Sequence, residues 1–594
     1  MIEVVTRRHH AILALILSAG LLLNTYGMTF GLPHRWIVDE TVAEALRVGA
    51  ERSLIWGDVT QTHFHTYLMT GVLAPYALYA QATRPDFGEI RRAAAVSWNE
   101  LARVAPDFAT RVTLIGRFFS ALIGVATVFV VYLLGRRLFG VRAGLMAAAF
   151  LALSQGVVGS NHLARSEPLV GFLGALVLYL LVRALDSRPE QRRMFLTASF
   201  FTGLAFATKY NGLILVGSVG LTWLMLAWQD AGAGSPADRW RRLAAVVRWR
   251  WVPSSVLLFA AGVVVGQPTL LDFLGRVGDV GAYWGLYFAQ SNATTSFAVN
   301  LINYLLQLVV IVGVPFAGFL AAGIGLFIAG HHATPARLGG WLLLVTATAY
   351  LLTVCRYPFP LPWVKFIVFD VPLLAVFGGL GLAALAGSRR VPVALRIGVL
   401  VATFGYSAAY AFQVDRQLAA GDPRYATTEW IEQNVPPGSS LEHFQEESWL
   451  YSARILSSYP VIYVGRDSRT WEGSLFRQGD AAEWRRAMNE YLTRFAVEGP
   501  SGDFVAIWLD DLAELNPARR EPSDHPHATA MRLLLDERLG YRLVYAERAA
   551  NFKVPSTRFP GVYYPASFWW NPVIDYTPTE IRLYARDNRP DGSG

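Results

Sequence analysis

The sequence predicts a polytopic α-helical membrane protein with a soluble α/β domain at its C-terminal end. Three observations carry that fold class. The 594 residues are 53% hydrophobic and only 16% charged, against about 25% charged in an ordinary soluble chain. The apolar residues fall in long blocks rather than being scattered, and mean hydropathy is +0.34. Beyond residue 413 the blocks stop, and short β-branched and aromatic runs replace them.

Net charge is +8 and the isoelectric point is near 9.4. Such a balance in a soluble protein would suggest nucleic acid. Here the arginines cluster in short loops between apolar runs, so topology explains them and no nucleic-acid partner is expected. The single cysteine, Cys355, excludes an intramolecular disulfide and a cysteine-based metal site.

Runs able to cross a hydrocarbon core of about 30 Å need roughly 20 residues. Candidates lie near 11–30, 113–134, 143–160, 168–185, 195–228, 253–268, 302–329, 340–355, 365–387 and 393–413. The first could be a signal peptide, but no small-x-small cleavage site follows and apolar character continues to Phe30, so an uncleaved span is expected. The run 195–228 is long for one crossing and short for two, and Lys209 interrupts it. The loops "RRHH", "GRRLFGVR", "RALDSRPEQRR", "DRWRRLAAVVRWR" and "GSRRVPVALR" share one side only if this run crosses twice. That parity gives about eleven transmembrane helices, the N-terminus in the cytoplasm and everything after about residue 414 outside. The expected domains are 1–413, the transmembrane part, and 414–594, the extracytoplasmic α/β part.

Residues 31–112 form the first external loop, and its "FHTYLMTGVLAPYALYA" is apolar yet cannot span without spoiling the parity. An interfacial helix is expected there. In the C-terminal part, "DPRYATTEWIEQN" reads as a helix ended by Pro-Pro-Gly, and "YPVIYVG", "DFVAIWL", "YRLVYAE" and "EIRLYAR" read as strands.

The outward turns are rich in ionisable residues where the inside rule disfavours cations. They carry Asp39, Glu40, Asp58, His63 and His65; Arg117; His162, Arg165 and Glu167; Lys209; and Arg356 and Lys365. Charges at membrane depth are costly and mark function. Carboxylates with several cations suit a site that handles an anionic group and moves a proton. Each residue also has a plain structural reading. Asp39 could cap a helix, and Thr41-x-x-Glu44 fits a capping box. His63 and His65 have a spacing that suits metal ligands on a strand but not on a helix. Arg117 and Arg165 could anchor in headgroups or pair with Glu167. Lys209 could snorkel, and Arg356 and Lys365 suit headgroup contact as well as substrate contact.

Several segments together resemble the GT-C glycosyltransferases that use polyprenyl-phosphate sugars, in the superfamily of protein O-mannosyltransferases and aminoarabinose transferases. The "DE" of Asp39-Glu40 resembles that family's acidic motif in the first external loop. "THFHTYLMTGVLAPYALY" is similar to its juxtamembrane pattern, and "RFFSALIGVATVFVVYLLGRRLFGVRAGLMAAAFLALS" to its second and third spans. "NHLARSEPLVGFL" resembles its second external turn, and "GLAFATKYNGLILV" its turn around a lysine. The similarity covers about residues 10–390.

The resemblance implies transfer of a sugar from a polyprenyl-phosphate carrier to an acceptor hydroxyl on the outer face of the bacterial cytoplasmic (inner) membrane. It implies Asp39 as general base with Glu40 in support. Arg117 would contact the lipid phosphate, helped by Lys209 and Arg165 and less directly by Arg356 and Lys365. Asp58, His63, His65, His162 and Glu167 would line the acceptor side or back up these groups. The acceptor is a glycan, a lipid or a protein; no cofactor is required, and a divalent metal is left open because relatives differ. Departures from the pattern are Glu167 where many relatives have aspartate, and "TVAEA" after the acid pair. The competing readings are a transporter or flippase of a lipid-linked sugar, and a sensor that binds cell-wall sugar through 414–594. A transporter places its charges near the midplane, often with internal repeats; a sensor leaves the charged turns unexplained.

Overall fold

A computed structural model describes residues 6–34, 40–54, 63–231, 249, 251–269, 297–330, 334–356, 364–419, 423–443, 455, 458–463, 466–467, 490, 493–495, 497–508, 532–548, 555–559, 562–565 and 580–587. Asp39, Asp58 and the proline-rich turn 357–363 lie outside the described residues.

The N-terminal part begins with α1 (Arg7–Thr25). The external loop then contributes α2 (Val42–Glu51), α3 (Phe64–Thr83), α4 (Phe87–Val96) and α5 (Trp98–Val104). Next come α6 (Pro106–Phe139), α7 (Val141–Ala152), α8 (Gln155–Asn161), α9 (Ser166–Asp186), α10 (Gln191–Thr208) and α11 (Ile214–Asp230). The rest of the bundle is α12 (Trp251–Gly266), α13 (Phe297–Val312), α14 (Val314–Ala329), α15 (Thr334–Val354), α16 (Val364–Ile367), α17 (Val371–Gly387) and α18 (Val393–Ala419).

Among the described residues, five helices are long and apolar enough to cross a membrane, and up to seven crossings result if each of two bent pairs is one span. α12 and α17 are apolar but shorter. α6 has 34 residues, about 51 Å at 1.5 Å per residue, longer than a hydrocarbon core of about 30 Å requires. Pro106 opens it, Arg136 and Arg137 sit in its last turn, and Gly140 at φ 92° ends it, as helix ends favour.

The run 195–228 divides at Lys209 into α10 and α11, joined by a 3-10 turn at Tyr210–Leu213. Two other runs differ from the simple reading. The stretch 143–160 is broken between α7 and α8 by a 62° bend. The stretch 302–329 is not one helix: α13 and α14 meet at 114°. The cause is local. Gly313 takes φ +83°, which L side chains rarely adopt, and the following Val-Pro starts a fresh helix with proline in its first turn.

Helix contacts in the bundle are close because small residues face each other. A Cβ on Gly203 of α10 would lie 2.1 Å from the Phe259 carbonyl oxygen of α12, and one on Gly323 of α14 would lie 1.8 Å from that of Phe377 on α17. The main core runs through α6, α7, α9 and α17, with Phe150 and Phe316 stacked at 4.4 Å. A second core packs the external helices onto α6 through Val42, Met69, Leu73, Trp98, Phe108 and Val112. The expected helix in the first loop is therefore present as α3, lodged between α2 and α6.

Beyond α18 comes α19 (Pro423–Asn434), then β1 (Leu441–His443), β2 (Val461–Tyr463), β3 (Arg466–Asp467), β4 (Phe504–Trp508), β5 (Tyr541–Arg548), β6 (Pro555–Phe559), β7 (Val562–Pro565) and β8 (Glu580–Arg586). Six of these strands form one sheet in the order β3-β2-β1-β4-β8-β5; β6 and β7 form a separate pair. β1 pairs parallel with β2 and β4, while β8 runs antiparallel to β4 and β5. The four expected strands are β2, β4, β5 and β8. α19 covers the sheet with Ile431 and Val435 against Leu441, Val461, Ala506, Ile581 and Leu583.

Candidate functional site

The acid loop is fastened at Glu40. Its carboxylate accepts from Arg117 Nε at 2.7 Å and Nη2 at 2.8 Å, and from the Ala164 backbone N–H at 3.1 Å. Arg117 and Glu40 are 1% and 5% exposed. Burying two charges is tolerated only when geometry and further hydrogen bonds compensate desolvation. Both conditions hold, since Arg117 Nη1 also donates to the carbonyls of Met28 (2.6 Å) and Phe30 (2.5 Å). Nε, Nη1 and Nη2 each donate inside the protein, so Arg117, expected to contact the lipid phosphate, is placed here as the tie between α6, Glu40 and the segment after α1.

Thr41 adds the next fastening. Its N–H donates to the Ala164 carbonyl at 2.9 Å, and its hydroxyl lies 3.2 Å from that carbonyl and 2.8 Å from His65 Nδ1. The capping box with Glu44 does not form; Thr41 precedes α2 without a side-chain cap bond, because its hydroxyl is committed across the loop. His65 is 1% exposed, and burial pushes its pKa down to about 4, opposed by Glu167 and helped by Lys209. It is therefore a neutral ring at physiological pH.

The turn between α8 and α9 brings the opposite charges. Glu167 lies in the first turn of α9, where the helix dipole favours an anion. It meets Lys209 Nζ at 2.5 Å and Arg165 Nε at 3.6 Å. Arg165 and Glu167 are buried, while the Lys209 side chain is 23% exposed. Lys209 takes extended backbone (φ −160°, ψ 140°) at the end of α10, which turns its side chain out of the helix. His162 is buried in the same turn, its Nδ1 and Nε2 2.8 and 2.7 Å from the carbonyls of Val158 and Tyr26, and burial lowers its pKa.

Glu40, Arg117, Thr41, His65, Ala164, Arg165, Glu167 and Lys209 thus form one connected group built from the first loop, α3, α6, the α8–α9 turn and the end of α10. A small cleft beside it is lined by His34, Glu40, Val42, Trp98 and Thr113. His63 precedes α3 and donates its backbone N–H to Gln267 at 3.0 Å. His63 and His65 do not lie on a strand, so the metal-ligand geometry considered for them is not formed. Arg356 is exposed at the end of α15, and the Lys365 ammonium stands 5.7 Å from the Phe366 ring centroid. Among the described residues no group of three or more His, Cys, Asp or Glu is placed to hold a metal ion.

Sequence reasoning missed Thr41 as a hydrogen-bonding hub, the backbone of Ala164, and the carbonyls of Met28 and Phe30. Backbone groups leave no mark in a sequence. Thr41 carried a signal, its place directly after the acid pair, but the spacing to Glu44 pointed to a cap.

Comparison with known proteins bears on this group. Residues 109–263 match a family described as dolichyl-phosphate-mannose-protein mannosyltransferase, a segment that includes Arg117, Arg165, Glu167 and Lys209. No curated protein matches the chain. Among solved structures, ArnT from Cupriavidus metallidurans bound to undecaprenyl phosphate is 16% identical at TM-score 0.48, covering 85% of this chain and 94% of that one. The archaeal oligosaccharyltransferase AglB from Archaeoglobus fulgidus, in complex with an inhibitory peptide and a dolichol-phosphate, is 14% identical at TM-score 0.46, covering 96% of this chain and 77% of that one. The S. cerevisiae protein O-mannosyltransferase Pmt1-Pmt2 complex bound to the sugar donor is 19% identical at TM-score 0.34, covering 47% of this chain and 36% of that one. The family match over residues 109–263 falls on the same spans and turns whose motifs resemble the GT-C glycosyltransferases.

Proposed function

We propose that this protein transfers one sugar from a polyprenyl-phosphate carrier to an acceptor hydroxyl at the extracytoplasmic face of the bacterial inner membrane. The observation that carries the reading is the anchoring of Glu40. Glu40, the residue after Asp39 in sequence, is clamped by Arg117 and by Ala164, in the turn that leads to Arg165 and Glu167, with Lys209 on Glu167. A fixed carboxylate in one group with these cations suits a reaction that needs one base and a phosphate leaving group.

In this reading Asp39 accepts the proton of the acceptor hydroxyl as its oxygen attacks the anomeric carbon. The bond from that carbon to the phosphate oxygen breaks, and polyprenyl phosphate leaves with the added negative charge. Lys209 is the cation best suited to meet that charge, because it is the partly exposed member of the cluster, with Arg165 behind it. A phosphate monoester needs no general acid. Glu167 keeps Lys209 in place, and His65 is a neutral hydrogen-bonding group at the edge. A single displacement inverts the anomeric centre.

The same reading assigns about eleven crossings to residues 1–413, with the N-terminus inside, and places 414–594 outside, where acceptors are met. A flippase is not favoured, since Glu167 and Lys209 lie at helix ends, whereas a transporter places its charges near the midplane.

The test offers purified protein in nanodiscs a panel of polyprenyl-phosphate monosaccharides with native membrane extract as acceptor, and follows release of polyprenyl phosphate. Consumption of one donor by the wild type and not by Asp39→Asn supports the reading and names the sugar. Absence of consumption and of binding across the panel sinks it.

A further inference from the structure

Residues 26–34, which lead from α1 to the acid pair, are held from three sides. Arg117 on α6 donates to the Met28 and Phe30 carbonyls. The His162 ring after α8 sits with Nε2 2.7 Å from the Tyr26 carbonyl. The third side is made by the end of α18 and the start of α19.

That third side is closely fitted. Gly27 has φ +85°, and a Cβ there would lie 3.1 Å from the Leu418 Cβ and 3.2 Å from the Asp415 carbonyl oxygen. Phe30 packs with Leu163, Val414 and Leu418 in a buried cluster of its own. Tyr425 on α19 donates its hydroxyl to the Leu32 carbonyl at 2.8 Å, and its ring faces His34 with centroids 6.1 Å apart. The Asp415 carboxylate is fully buried, lies 3.5 Å from His162 Nε2, and accepts no hydrogen bond among the described residues. These groups do not belong to the core that closes the C-terminal sheet. A carboxylate kept buried against one imidazole is costly, and its position against the root of the acid loop gives that cost a purpose.

We propose that Asp415, Leu418 and Tyr425 are positioning residues, and that the joint between the last apolar helix and the C-terminal domain steadies residues 26–34, on which the work of the acid pair that follows in sequence depends. The inference rests on the reading of that acid pair as catalytic. It gives the C-terminal domain a mechanical link to the transfer site: what α19 does is felt at Leu32, seven positions before Asp39.

The experiment measures hydrogen–deuterium exchange and sugar transfer on the full chain in nanodiscs, for wild type, Tyr425→Phe, Asp415→Asn and Tyr459→Phe. The last is the control, since the Tyr459 hydroxyl bonds the Val435 carbonyl inside the C-terminal core. The amides of Phe30 and Leu32 bond within this segment, and that of Met28 bonds the last residue of α1, so all three report its opening. Expected are several-fold faster exchange over 26–34 in Tyr425→Phe and Asp415→Asn, a kcat about tenfold lower, an unchanged KM for the donor, and no change in either readout for Tyr459→Phe. Unchanged exchange overturns the proposal whatever the activity does. Faster exchange with unchanged kcat overturns it too, since the segment would then be held without positioning the acids. If the wild type transfers no sugar, the glycosyltransferase reading fails, while the exchange data still decide whether the joint exists. Should Asp415→Asn fail to fold, Tyr425→Phe, which deletes one oxygen, decides alone.

Discussion

Arg117 and Glu40 meet edge to edge, two N–H groups on two carboxylate oxygens at 2.7 and 2.8 Å, across 77 positions of sequence. The pair ties the second long helix to the acid loop. Breaking one side of a buried pair leaves an uncompensated charge and costs about 3–5 kcal/mol. Arg117→Ala and Glu40→Ala are each expected to lower the unfolding temperature by several degrees and to reduce transfer at least about 100-fold. The double variant should be destabilised by clearly less than the sum of the two. Thermal unfolding in detergent, run as a double-mutant cycle, measures this; simple additivity would refute the clamp.

Asp39→Asn tests the base. The side chain keeps its size and loses its basicity, so transfer should vanish while expression, unfolding temperature and donor binding stay at wild-type values. Full activity in this variant would remove Asp39 from the reaction.

Lys209 is held by Glu167 but remains partly open to solvent. Lys209→Ala is expected to lower kcat/KM for the donor by about 10²-fold, the scale of losing one charge-stabilising group. Lys209→Arg should recover part of it. Glu167→Gln should weaken the reaction less, because it frees the cation without removing it. Competition by polyprenyl phosphate gives the matching binding change: affinity should fall in Lys209→Ala and stay within a few-fold in Glu167→Gln.

His65 predicts a pH effect with a definite sign. Its folded pKa is near 4, below an ordinary histidine value near 6.5. Between these values the unfolded chain binds the proton and the folded chain does not. Stability is therefore complete above about 6.5 and falls as pH drops toward 4, by an amount on the order of 3 kcal/mol. His65→Gln should flatten the unfolding temperature between pH 4.5 and 7. An unchanged slope would mean that His65 is not the group responsible.

How much of this was legible depends on what kind of interaction made it. A break at Lys209 was expected on charge parity, and the chain does break there, between α10 and α11. The bend at Gly313 was not read from the sequence, where unbroken hydropathy made 302–329 a single run; the structure shows a positive-φ glycine followed by a helix-starting proline. Glu167 and Lys209 stood out because charges inside apolar stretches are rare. Their pairing at 2.5 Å was not readable, nor was the inward turn of Arg117.

The sequence by itself determined that long apolar helices fill the first two thirds of the chain, which turns carry charge, and that strands follow residue 440. These depend on local composition, which hydrocarbon and backbone geometry read residue by residue. Only the tertiary structure decided the partners: that Arg117 serves Glu40, that Thr41 joins His65 to Ala164, and that Asp415 and Tyr425 reach the root of the acid loop. Those choices rest on buried polar groups satisfying one another across long separations, and desolvation enforces them only once the helices have packed.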